Sequence, residues 1–177
     1  MVLSPGRAVA LLIAAALFLA AVAAWYFLRG EYYFERGRLA HSRGELLTAE
    51  RYFTQAAAFD SNDPRPKVYL GRLAREWGDY ERAGRELVRA IELDPANAVA
   101  LREMGSLALA SGKLDVARRF YVRALELDPS DRASLGFLAC TLALLGRFEE
   151  ALRFQERAGA GDWSSCTQRG LLRGAQR

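Results

Sequence analysis

Histidine is almost missing from this sequence. His41 is the only one, and there are just two cysteines, Cys140 and Cys166, and two lysines, Lys67 and Lys113. A metal centre needs several His, Cys or carboxylate ligands at short spacing, and these cysteines lie too far apart to begin one; they read as two buried or idle thiols. Nucleophilic or acid–base chemistry needs a base beside a nucleophile, a carboxylate pair in a cleft or a phosphate-cradling glycine loop. None is recognisable. His41 reads as a polar surface residue before a turn, and the carboxylates are scattered among arginines. Catalysis is therefore not expected, nor is a metal, a cofactor or a small-molecule substrate.

With so little lysine, the basic balance is made of arginine. The formal net charge is +4; setting aside Arg7 and Arg29, which flank an apolar run, leaves 23 basic residues against 21 acidic ones, a surplus of two. Most arginines alternate with acids along helix faces, as in Glu81, Arg82, Arg85, Glu86 and Arg89. A concentrated basic stripe for a nucleic-acid backbone is absent.

Proline is sparse too, yet Pro95 and Pro129 stand 34 residues apart inside nearly the same phrase, RAIELDPANA and RALELDPSDR. Such a period signals stacked structural units. The glycines Gly44, Gly78, Gly112 and Gly146 keep it, as do Gly37, Gly71, Gly105 and then Ala139. Two alanine series follow it as well: Ala49, Ala83, Ala117, Ala151 and Ala56, Ala90, Ala124, Ala158. Each unit holds two segments with apolar residues at helical spacing around a glycine turn. Four helical hairpins are expected, at 30–63, 64–97, 98–131 and 132–161. The small residues let paired backbones approach, with Gly71 expected to face Ala83 and Ala90. Asp94 and Pro95 end a helix.

Leu70, Gly71, Ala83, Leu87 and Pro95, then Met104, Gly105, Ala117, Tyr121 and Pro129, resemble the tetratricopeptide repeat family. The first unit has Ser61 for the proline; the fourth has Ala139 for glycine and Gln155 for the aromatic, and no unit has the early tryptophan. The resemblance implies an all-α fold, a right-handed α-solenoid of four hairpins with a concave face that binds peptide or protein segments. By analogy that face carries Phe34, Arg38, Arg65, Tyr69, Arg72, Arg75 and Arg102, then Leu109, Phe137 and Leu144, with His41, Ser42, Ser106, Cys140 and Ala143 beside them. Its lining passes from cationic and aromatic to apolar, which suits a ligand pairing an acidic stretch with a hydrophobic one. The lysine and asparagine clamp by which one subgroup captures chaperone C-termini is absent: Phe34 and Arg38 stand there.

The longest uncharged run is Ala8–Leu28. Its 21 residues span roughly 30 Å as a helix, the thickness of the hydrocarbon layer. It exceeds a signal-peptide core and continues through Trp25, Tyr26 and Phe27, in the manner of a membrane-interface belt. The expectation is a short tail at 1–7, a single transmembrane helix at 8–28 and the repeats directly after it, on the membrane surface. A literal count of flanking positive charge puts the repeats in the cytoplasm, whereas a short basic tail before one apolar run resembles a bacterial signal anchor and puts them outside. The outside, periplasmic placement is preferred. Ala16, Ala20 and Ala24 add a small-residue stripe.

The segment LGFLACTLALLG in the fourth unit is apolar all round and must be covered. The tail at 162–177 is rich in glycine and shows no helical period. Either it folds back as a cap, anchored by Trp163, Leu171 and Leu172, or a partner docks there. The expected function is a membrane-anchored scaffold that binds protein segments, with membrane proteins as partners, in assembling or stabilising a membrane or envelope complex. The alternative is a chaperone-like handler of newly exported chains.

Overall fold

The computed structural model describes residues 5–175, which form nine α-helices and no strand. Residues 1–4 of the N-terminal tail and 176–177 of the C-terminal tail lie outside the described residues. So do the side chains of Arg7, which flanks the apolar run, and of Tyr26 and Phe27 within it. The chain divides into two compact units, Met1–Pro66 and Lys67–Arg177.

In the first unit, α1 (Pro5–Ser42) and α2 (Leu46–Phe59) form a hairpin. The apolar run and the first helix of the first repeat are one helix of 38 residues, without a break at Gly30. At 1.5 Å per residue it is about 57 Å long. From Leu11 onward it is, among the described residues, the one helix long and apolar enough to cross a membrane. Its length and composition are those of a membrane span or a signal sequence. At the turn, Gly44 takes φ 75°, a left-handed conformation that favours glycine. Phe53 fills the space above Gly37, where an added Cβ would meet its ring at 2.6 Å, and Phe34 packs on Phe53 with ring centres 5.9 Å apart.

The second unit continues with α3 (Pro64–Glu76), α4 (Tyr80–Leu93), α5 (Ala98–Ala110), α6 (Leu114–Leu127), α7 (Arg132–Leu144), α8 (Phe148–Ala158) and α9 (Ser164–Ala175). Both alanine series lie in the core, none more than 2% exposed. The side chain above Gly71 is Leu87 rather than Ala83 or Ala90: a Cβ there would meet Leu87 Cγ at 2.6 Å and the Ala83 carbonyl at 3.3 Å. Gly105 stands likewise under Tyr121. The glycine in the first helix therefore makes room for the large residue of the second, while the alanines set the helix spacing.

The repeated phrase does two jobs. α4 ends at Leu93 and Asp94 is extended. Asp94 then accepts from the Ala96 N–H, and Asn97 caps α5 by accepting from the Ala100 N–H at 2.9 Å. Asp128 and Asp131 repeat this before α7. A short polar side chain that satisfies an orphan N–H at a helix start contributes about 1 kcal/mol. The phrase thus ends one hairpin and starts the next.

The last helix departs from the sequence reading. α9 packs on α7 and also touches α8, although few residues of its sequence SSCTQRGLLRGA are large and apolar. Three features hold it there. Trp163, 8% exposed, covers Gly136, where a Cβ would collide with the indole. Gly170 lies against Ala143, so the two backbones nearly touch. Cys166 is disulfide-bonded to Cys140, with Cα atoms 5.4 Å apart. The expectation of two idle thiols is corrected: α7 and α9 bring the sulfurs together. Leu171 packs into the core beside α7, whereas Leu172 is 64% exposed and anchors nothing.

Candidate functional site

Most charged residues expected on a binding face are already engaged. In the first unit Phe34 is buried inside the hairpin, and the Arg65 guanidinium lies 4.4 Å over its ring. Arg65 also binds Glu31 at 2.7 Å and Asp63 at 2.8 Å, and the hydrogen bonds to Asp63 and Glu31 raise its pKa above the ordinary value. Arg38 is exposed and pairs with Glu35 at 3.2 Å.

In the second unit three arginines converge on a carboxylate that sequence reasoning passed over. Glu103, in α5, is only 5% exposed. From α3, Arg72 donates to it through Nη2 at 2.6 Å and Nε at 3.1 Å, and Arg75 through Nη2 at 3.5 Å. Arg102 Nε approaches to 3.8 Å while its Nη1 donates to Asp131 at 2.9 Å. Tyr69 stacks under the Arg72 guanidinium at 4.9 Å, and the Tyr121 hydroxyl donates to Ser106 at 3.1 Å. Glu103 had a signal in the sequence. It is the sole acid in AVALREMGSLALA, and a lone carboxylate in an apolar helix is rarely buried unless paired.

The electrostatics follow from burial. Burial works against the Arg72 charge, yet the Glu103 carboxylate outweighs it, and the net pKa lies above the ordinary value. Burial raises the Tyr121 phenol well above its usual range. For Asp131, burial raises the pKa, but the Ser134 hydroxyl and Arg102 outweigh it and hold the carboxyl below its ordinary 3.8. A lowered folded pKa contributes stability that is present above the unfolded value and lost as pH falls through the folded one. Melting temperature should therefore drop below about pH 4, and Asp131→Asn should flatten that acid limb. An acid limb identical in the variant would show that Asp131 contributes nothing to it.

Glu76 adds a weaker attraction on Arg72 beside that of Glu103, so three carboxylates act on the three guanidiniums. Arg75 holds the longest contact of the three to Glu103 apart from Arg102, and its buried Nε has no hydrogen-bond partner. It is the cation best placed to accept a further anion. Of the apolar residues, Leu109 packs against the core of α6 and α7, and Leu144 is half-buried near Gly170. Phe137 is held between Tyr121, stacked at 6.1 Å, and Trp163, edge-on at 5.8 Å. Cys140 and Ala143 are buried. The apolar patch expected for a ligand is thus partly filled by the chain's own Trp163. Among the described residues, no group of three or more His, Cys, Asp or Glu is placed to hold a metal.

Residues 74–133, spanning the end of α3 through the start of α7, match the tetratricopeptide repeat model. Over these residues the chain matches the tetratricopeptide repeat family. Solved structures with this fold include a mutant Thermobaculum terrenum O-GlcNAc transferase, at TM-score 0.70 and 25% identity over 75% of this chain. The present chain covers 26% of that transferase, about a quarter of its length. Pseudomonas aeruginosa pilF gives TM-score 0.73 at 15% identity, over 85% of this chain and 71% of that one. The first tetratricopeptide domain of Spaghetti (RPAP3), solved with the HSP90 peptide SRMEEVD, gives 0.61 at 20% identity over 67% and 94%. No curated protein matches the sequence. Tetratricopeptide repeats are in general interaction scaffolds that bind peptides and proteins.

Proposed function

We propose that this chain is a single-pass membrane scaffold whose tetratricopeptide repeats hold a segment of a membrane or envelope protein close to the bilayer. The observation that carries the reading is the unbroken α1: the apolar run and the first helix of the first hairpin are one rod, with no linker between them. The Cys140–Cys166 disulfide supports an extracytoplasmic domain, because such bonds persist in oxidising compartments. The Arg72, Arg75 and Arg102 cluster, in which Arg75 has a long contact to Glu103 and an unpartnered Nε, supports an acidic stretch in the bound segment. Arg75 is the residue that reads it, and Tyr69 and Leu109 are neighbours on the same helices. The solved RPAP3 complex is an instance of a domain of this fold holding an acidic peptide.

Mild detergent extraction of the full chain tests this. A few membrane subunits should copurify in fixed ratio, and Arg75→Ala should weaken that retention by about tenfold, or about 1.4 kcal/mol, with the melt unchanged. A crowd of unfolded exported chains at low occupancy would favour the handler reading. Empty purifications would sink both.

A further inference from the structure

Arg29 and Arg36 of α1, with Arg43 in the turn just after it, form one exposed row. Arg38, Arg65, Arg72, Arg85, Arg89, Arg102 and Arg147 each pair with a carboxylate at 3.2 Å or less. Arg29, Arg36 and Arg43 pair with none among the described residues. Arg29 lies over the rings of Trp25 and Phe59, 4.7 and 5.9 Å away. Arg36 lies over Tyr52 and donates weakly to its hydroxyl at 3.5 Å; rings leave the charge in place, and Glu45 adds only a minor attraction.

These arginines are seven residues apart, with Tyr32 and Leu39 between them and Trp25 below. The spacing of four and three residues alternates throughout, the pattern of a coiled-coil seam. All six residues are exposed, the three apolar ones at 49, 56 and 42% for Trp25, Tyr32 and Leu39. The same spacing continues into the apolar half through Val22 and Phe18, also exposed. The opposite flank carries Glu31, Glu35 and Arg38, which are paired. Beside the stripe a hollow of about 160 Å³ opens between Arg36, Arg43, Thr48 and Tyr52, with Glu45 also on its wall.

We propose that this stripe is the docking seam for a partner transmembrane helix that continues beyond the bilayer as an acidic helix. The proposal rests on the reading that α1 spans the membrane. Two other occupants fit worse. A second copy packed in parallel would set Arg29, Arg36 and Arg43 against their own counterparts, and like charges across a seam are repulsive. Lipid headgroups can reach Arg29, but Arg36 stands about 10 Å and Arg43 about 20 Å farther along the helix axis. A tilt of about 20° barely lowers them, so the charged row rises out of the headgroup layer. A neighbouring helix with Glu or Asp at every seventh position meets all three arginines, and its apolar residues meet Tyr32 and Leu39.

The test reconstitutes the full chain in phosphatidylcholine vesicles doped with phosphatidylglycerol. The probe is a synthetic single-pass peptide, a Leu/Ala span followed by heptads with glutamate at each seventh residue. A photocrosslinker at Tyr32 or Leu39 should join the probe, and one at Ser42 should not. Arg29→Glu, Arg36→Glu and Arg43→Glu together should cut the yield about tenfold, and a lysine-bearing probe should restore it. The three Arg→Lys changes should keep docking, since charge and not shape is read. Adducts chiefly with lipid or with a second copy, or a yield indifferent to charge reversal, would overturn the seam. If the reversed variant still copurifies with its membrane subunits, the scaffold reading stands and the seam falls; if the probe docks while no subunits copurify, the seam stands and the scaffold reading falls.

Discussion

Glu103→Ala should destabilise the repeats by about 3 kcal/mol, at the low end of what breaking a buried ion pair costs. The loss comes less from the attraction removed than from what is left behind. Arg72, Arg75 and Arg102 have side chains only 20, 25 and 19% exposed, and without Glu103 two of them lose their carboxylate partner. Some solvent still reaches them, which is why the larger values for fully buried charges do not apply. Urea unfolding of the detergent-solubilised chain measures the effect. Replacing Arg72 as well should be less than additive, with a coupling of at least about 1 kcal/mol. Added formate, a free carboxylate, should restore part of the lost stability in Glu103→Ala. Additive losses and no response to formate would mean that Glu103 is held by burial alone.

This cluster also changes how binding variants are to be designed. Charge reversal at Arg72 would remove the 2.6 Å donor to Glu103 and set a second carboxylate toward a buried one, so it would destabilise the repeats before it tested any partner. Arg75 is the better probe, because its contact to Glu103 is long and its Nε is unspent.

The repeat period was legible because it is written in residues whose role is steric and local. Gly78 and Gly112 must adopt positive φ, and Ala83 and Ala117 must be small to set helix spacing. The roles of individual side chains were less legible, since analogy places a residue on a face without saying what already sits on it. Phe34 fell into the hairpin core and Phe137 under Trp163. Glu103 was passed over because the reading counted cations along the first helices and left out the carboxylate that gathers them. α9 was illegible for a different reason. The positions that hold α9 down, Trp163, Cys166, Thr167, Gly170 and Leu171, do fall at helical spacing, but a cysteine, a threonine and a glycine among them carry little apolar signal, and Cys140 and Cys166 are 26 residues apart with nothing in the spacing to join them.

Reducing that disulfide, or replacing Cys140 and Cys166 by serine, should lower stability by about 3.5 kcal/mol, the chain-entropy expectation for a loop of this length. Truncation before Gly161 should cost more, because it also removes Trp163 from Gly136, and Trp→Ala changes alone cost about 3–5 kcal/mol. The damage should be local. Repeat stability is close to a sum of unit and neighbour terms, so amide exchange should rise in α7 and α8 while α5 and α6 stay protected. Gly136, Cys140 and Ala143, which Trp163 and α9 cover, would then face water, and aggregation should follow. Protein taken from cells without reductant should resist thiol alkylation, and the same protein after reduction should accept two labels. Free thiols in the native protein would place the repeats in a reducing compartment and remove the support for an extracytoplasmic domain. An unchanged melt on truncation would mean that α9 is not what covers α7, and that the fourth hairpin holds its apolar face against a partner instead.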